Sequence, residues 1–130
     1  MDFELTDEQQ QLREEVRRFA DNEIRPIASE HDREESYPHD VVEKAAEMGL
    51  IAPHIPVEYG GVGYSAIENA IIIEELFAVD PGIGLCISGA GFGVEAIMEF
   101  GTEAQKEEVL PAVASGESLL GSAISEPQAG

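Results

Sequence analysis

Residues 65–77 read Ser65-Ala-Ile-Glu-Asn-Ala-Ile-Ile-Ile-Glu-Glu-Leu-Phe77. The four isoleucines suit a β-strand. Two features point to a helix instead. Ser65 and Glu68, three residues apart, form a capping box, and Glu74-Glu75 flanks the apolar run. As a helix, Ile67, Ala70, Ile71, Ile72, Ile73, Leu76 and Phe77 cover most of its girth. A helix apolar on nearly all sides belongs at the centre of a bundle. Asp80-Pro81-Gly82 ends it. Glu74 and Glu75 sit at the end of this buried segment, and their residue type and place favour a cap or partner-helix role over acid–base catalysis.

Upstream, Thr6 and Gln9 form a second capping box. Asp7 and Glu8 follow in the first turn, where the helix dipole favours anions. Leu5, Leu12, Val16, Phe19 and Ala20 make one apolar stripe, and Arg13, Arg17 and Arg18 are expected on the outer face with Glu14 and Asp21. Pro26 should bend or restart the helix, with Ile24, Ile27 and Ala28 extending the stripe to about His31. Residues 32–37 are expected to form a loop. Pro38 suits the first turn of another helix. Val41, Val42, Ala45, Ala46 and Met48 form its inner side, and Gly49 forms its C-cap. Pro53 and Pro56 make residues 50–57 extended, leading into a glycine-rich turn over residues 59–64.

Downstream, residues 84–100 are expected to form one buried helix rich in small residues. Glycine costs about 1 kcal/mol against alanine in a helix, so its usual return is the close approach of a neighbouring helix or of a ligand. Gly101 caps it. Thr102 and Gln105 make a third capping box, opening a helix with Val109, Leu110 and Val113 inward and Gly116 at its end. Residues 118–125, Ser-Leu-Leu-Gly-Ser-Ala-Ile-Ser, have strand character.

The chain has 130 residues, with 7 Lys+Arg against 27 Asp+Glu and a net charge of −20. All its basic residues except Lys106 lie at or before Lys44. Nucleic acid is excluded as a partner, because phosphate binding needs clustered Lys and Arg. An anionic membrane surface would repel the chain. The carboxylate excess suits a protein adapted to high salt, where counterions screen self-repulsion. Cys86 is the single cysteine, so no disulfide framework or cysteine metal site is expected. The acidic N-terminus is unlike a signal peptide. The longest charge-free run, residues 81–94, is too short to span a bilayer. A cytoplasmic protein is expected. His31, His39 and His54 show no metal-ligand spacing. Gly61-Val-Gly63-Tyr-Ser-Ala66 fits a dinucleotide fingerprint in letters only; the prolines before it and the missing βαβ unit make it a tight turn into a helix.

Longer runs carry a family resemblance. DFELTDEQQQLREEVRRFADNEIRPIASEHDREESYP (2–38) and MGLIAPHIPVEYGGVG (48–63) resemble acyl-CoA dehydrogenases. So do Ile73-Glu-Glu-Leu76, FGTEAQK (100–106), Leu110-Pro111, Ser115-Gly116-Glu117 and AISEPQAG (123–130), the last being similar to the family's flavin-proximal signature. The resemblance implies an all-α N-terminal domain over residues 1–117. It makes residues 118–130 the first strand of a middle β-domain, ending inside that signature. Family members are much longer. Their FAD lies between the middle domain and a C-terminal helical bundle. A glutamate of that bundle takes the α-proton of the acyl-CoA, and electrons pass on to an electron-transferring flavoprotein.

By this resemblance, Ser122, Ala123, Ile124 and Ser125 run along the flavin. Gly84, Leu85, Ser88, Gly89 and Phe92 line the acyl tail; helix–helix packing is the other account of the glycines. No catalytic residue is carried over. The implied function is that of the N-terminal part of an FAD-dependent oxidoreductase taking acyl-CoA to 2-enoyl-CoA, with the isolated chain inactive. The alternatives are a truncated product and a helical subunit of a split flavoprotein. A homo-oligomer is expected only where the remaining domains are present.

Overall fold

The computed structural model describes residues 4–129. Asp2, Phe3 and Gly130, at the ends of two matching runs, lie outside the described residues. Among those residues the fold is all-helical: α1 (Asp7–Phe19), α2 (Ala28–Glu34), α3 (His39–Glu47), α4 (Ala66–Val79), α5 (Pro81–Ser88), α6 (Val94–Phe100) and α7 (Glu103–Ala114). The 65–77 segment is α4, and α1 and α5 are its principal neighbours. Its Ile71, Ile72 and Leu76 are buried. Each such side chain contributes about 2 kcal/mol relative to exposure. One apolar core joins α4 to Leu12, Val16 and Phe19 of α1, Val42 and Ala45 of α3, Ile83 and Ile87 of α5, and Leu110 and Val113 of α7.

The predicted starts and stops are built from the residues named for them. Thr6/Gln9, Ser65/Glu68 and Thr102/Gln105 each form a complete capping box. Asp80 ends α4 and starts α5, its carboxylate accepting from Ile83 N–H at 2.8 Å, with Pro81 in the first turn. Gly49, at φ +71°, closes α3. Its N–H donates to Ala46 and that of Leu50 to Ala45, both at 2.9 Å. This is the paired arrangement of a Schellman stop.

Pro26 acts upstream of itself. It has no N–H to give, and its ring would press on the carbonyl four residues back. The chain widens into a π turn, Ala20–Ile24, with Arg25 N–H donating to Ala20 O at 3.0 Å. Helix α2 then restarts at Ala28.

Several expectations are corrected. Residues 32–34, expected as loop, belong to α2, which ends only where Glu35 turns left-handed at φ +51°. Met48 is exposed, because it lies at the α3 cap beyond the buried stripe. Residues 50–57 fold into tight turns; Ala52 is at φ +42°, and Leu50, Ile51 and Ile55 are buried. The prolines exclude a ladder without requiring an extended chain. The single helix expected over 84–100 is two helices joined by a turn at 89–93, where Gly93 sits at φ +105°. Successive glycines give that stretch too little helical preference to run through.

The expected strand over 118–125 does not form among the described residues. Leu120 makes one parallel bridge to Gly91, its N–H donating to Ala90 O at 2.9 Å, and residues 121–129 are exposed. A strand needs a ladder, and this segment has a single rung.

Arg13 and Arg17 keep to the outer side of α1 but reach from it to one buried carboxylate. Arg13 Nε and Arg17 Nη2 donate to Glu75 Oε1, and Arg17 Nε donates to Oε2, each at 2.8 Å. Glu75 is only 3% exposed. Burial pushes its carboxyl upward, but the hydrogen bonds from Arg17 and Arg13 outweigh that and hold its pKa below the usual carboxylate value. The pair ties α1 to α4, the partner-helix role read from the sequence.

Candidate functional site

Three of the five residues singled out on α5 and the turn after it meet at a pocket of about 260 Å³ between α4, α5 and the loop before the glycine turn. Leu85 and Ser88 of α5 and Phe92 of the 89–93 turn line it, facing Ile73 and Phe77 of α4. Leu85 and Ser88, three apart, share one face of α5, and the turn after it brings Phe92 alongside them. Leu85 is 50% exposed and Phe92 52%, so the apolar wall opens to the surface.

Gly84 and Gly89 are not in that lining. Gly84 is buried against α4, where an added Cβ would stand 2.7 Å from Phe77 Cδ2. At Gly89 an added Cβ would lie 2.7 Å from Leu85 O. Gly84 therefore serves close packing, the second use of glycine, whereas Gly89 is confined by the last turn of its own helix. Gly91, not singled out from sequence, does line the pocket and also packs on Ala52, 2.6 Å from where its Cβ would be. Phe77 was missed because it was counted as core. Its place four residues after Ile73 was the available signal.

The polar lining comes from Asn69, His54 and Glu95. His54 Nε2 is buried without a hydrogen bond, and Glu95 Oε1 lies 3.3 Å from it, within ion-pair range but misaligned. Burial raises the Cys86 thiol above its ordinary value, so it is a poor nucleophile. Glu75 is engaged by two arginines. The lining is mainly apolar, with Asn69, His54 and Glu95, besides Ser88, as its polar members.

Ser122, Ala123, Ile124 and Ser125 lie on the exposed segment beyond Leu120. Ser122 sits over the 89–93 turn, its Oγ 3.7 Å from where a Cβ on Gly93 would stand. The backbone groups of residues 121–125 make no hydrogen bond to other described residues. Larger clefts, about 390 Å³ beside the π turn and about 510 Å³ between α2 and α5, gather none of these residues.

A helical domain with such a wall matches a known family. The family described as acyl-CoA dehydrogenase, N-terminal domain, matches residues 6–117, and the chain belongs to it. It is similar to the short-chain specific acyl-CoA dehydrogenase of Clostridium acetobutylicum, with 39% identity over 100% of this chain and 35% of the relative. It is also similar to an acryloyl-CoA reductase (NADH) of Anaerotignum propionicum, 38% identical over 100% of this chain and 33% of that one. Among solved structures, an acyl-CoA dehydrogenase complexed with FAD from Bacillus anthracis superposes with a TM-score of 0.87 at 29% identity, over 98% of this chain and 22% of that one. The chain spans about a third of the length of the two curated relatives. Among the described residues no helix is long and apolar enough to cross a membrane.

Proposed function

We propose that this chain is the N-terminal helical part of an FAD-dependent oxidoreductase that converts an acyl-CoA to its 2-enoyl-CoA in fatty acid metabolism. The observation that carries the reading is the pocket wall of Leu85, Ser88 and Phe92, apolar at Leu85 and Phe92, in a chain of this family. These residues line the acyl tail. Residues 1–117 form the helical domain, and 118–130 begin the flavin-bearing β-domain.

Ser122 to Ser125 fit a flavin edge in one respect: their backbone donors and acceptors are unengaged. The flavin, when bound, supplies the hydride acceptor. An electron-transferring flavoprotein is the proposed oxidant, by the family resemblance. The chain works in the cytoplasm and at high salt, its carboxylate excess being the support for the second of these alone. Subunits associate into a homo-oligomer only through the rest of the family's length.

The division of labour is open to direct test. The purified chain, incubated with FAD and short-chain acyl-CoAs, is expected to give no 2-enoyl-CoA. Tight flavin binding with turnover would overturn the assignment of the proton-removing base to the other two-thirds.

A further inference from the structure

His54 carries the one polar side-chain atom that is buried without a hydrogen bond among the described residues, its ring Nε2. It lines the pocket from the turns at 50–57, and Asn69 lines it from α4. The half-buried Asn69 amide also makes no hydrogen bond among the described residues. Glu95, at the start of α6, stands beside them: its Oε1 lies 3.3 Å from His54 Nε2, misaligned for a hydrogen bond. Two elements thus bring unpaired hydrogen-bonding groups to a cavity whose lining is mainly apolar. A buried polar atom left unpaired is costly, and a ligand atom is one way to satisfy it.

We propose that His54 and Asn69 select an acyl chain carrying a hydroxyl group: its carbons lie along Leu85 and Phe92, and its hydroxyl bonds to His54 Nε2 and the Asn69 amide. The proposal rests on the reading of the pocket as an acyl site and names the substrate class for it. The hydroxyl follows from the donors and acceptors present. Imidazole Nε2 donates in one tautomer and accepts in the other, and an amide does both. A hydroxyl donates and accepts, so it matches either state. A ketone only accepts. A carboxylate also only accepts, and here it would meet the Glu95 carboxylate in a chain of net charge −20. A plain alkyl chain would expel water and leave both groups unpaired, the situation in which a polar site discriminates most strongly.

The test uses the whole chain and three acyl thioesters of N-acetylcysteamine. They are ω-hydroxyhexanoyl, heptanoyl, in which a methyl replaces the hydroxyl, and the anionic adipoyl. NMR titration gives the affinities, and the ring-nitrogen shift of His54 reports its hydrogen bond. The ratio of hydroxyhexanoyl to heptanoyl affinity is the readout, because it cancels the general gain from burying the chain. His54→Phe and Asn69→Leu are each expected to lower that ratio about tenfold while heptanoyl binding is kept. His54→Gln, whose amide reaches about as far as Nε2, should keep most of it. On the unaltered chain, the hydroxylated probe should move the His54 Nε2 shift more than heptanoyl does; this readout stands even where a variant fails to fold. Heptanoyl binding with an unchanged ratio in the variants and no selective His54 shift would overturn the hydroxyl site and leave the acyl site standing. A preference for adipoyl that His54→Phe abolishes would overturn the hydroxyl in favour of an anionic group. No binding of any probe would overturn the acyl site, and this proposal with it.

Discussion

Glu75 concentrates more charge chemistry than any other buried residue described. Replacing Arg13 and Arg17 together by Met would strand its carboxylate in an apolar setting. The expected loss is about 3 kcal/mol, the scale for a buried charge deprived of its partner. Adding Glu75→Leu should recover most of it, because the stranded charge is then gone. Urea unfolding of the three proteins checks this. An unchanged midpoint for the double variant would show that the triad carries no stability. The glycine turn offers a second contrast. At Gly61 an added Cβ would lie 2.0 Å from the Ile55 carbonyl oxygen, whereas at Gly60 it meets nothing within 4 Å. Gly61→Ala should cost about 3 kcal/mol through overpacking. Gly60→Ala should cost about 1 kcal/mol through its left-handed backbone alone. Equal losses in thermal melts would contradict the packing described. The sequence named Glu75 as unusual and put Arg13 and Arg17 on the outer face, but it did not pair them. Residue type alone cannot reveal which way a long flexible side chain folds back.

Helix boundaries divide into those that sequence can and cannot reveal. The three capping boxes, the Asp80 stop and the Gly49 stop were legible because one or two neighbouring residues make each of them. The break at 89–93 and the turns at 50–57 were not. Their conformations depend on contacts distant in sequence, such as Gly91 on Ala52. The pocket was legible in part: the family resemblance pointed to Leu85, Ser88 and Phe92, whereas His54 and Gly91 arrive by tertiary packing. One cap also carries a pH prediction. Hydrogen bonds from Gln9 and then Ser65 lower the Glu68 carboxyl from 4.5 to about 2. A depressed acid stabilises the fold fully above its unfolded value and loses that contribution as pH falls through its folded value. Stability should therefore fall between pH 4.5 and about 2, and Glu68→Gln should flatten that limb. Acid titrations of both proteins by circular dichroism check it; identical curves would remove Glu68 from the account.

At the scale of the molecule, net charge and the third of its relatives' length that the chain spans set the behaviour. A charge of −20 repels itself in dilute buffer. Salt screens that repulsion, so the melting temperature should climb from low to molar salt. A flat response in a thermal melt would refute salt adaptation. The exposed Leu85, Phe92 and Ile124, the last 81% exposed, are explained if the remaining domains of the family cover them. Substituting this chain for the matching N-terminal third of the Clostridium acetobutylicum short-chain acyl-CoA dehydrogenase tests that directly. The account predicts a folded chimera that retains FAD and oxidises a short-chain acyl-CoA. A folded chimera that loses FAD, or keeps it without turnover, would contradict the claim that this chain supplies the acyl-binding wall of such an enzyme.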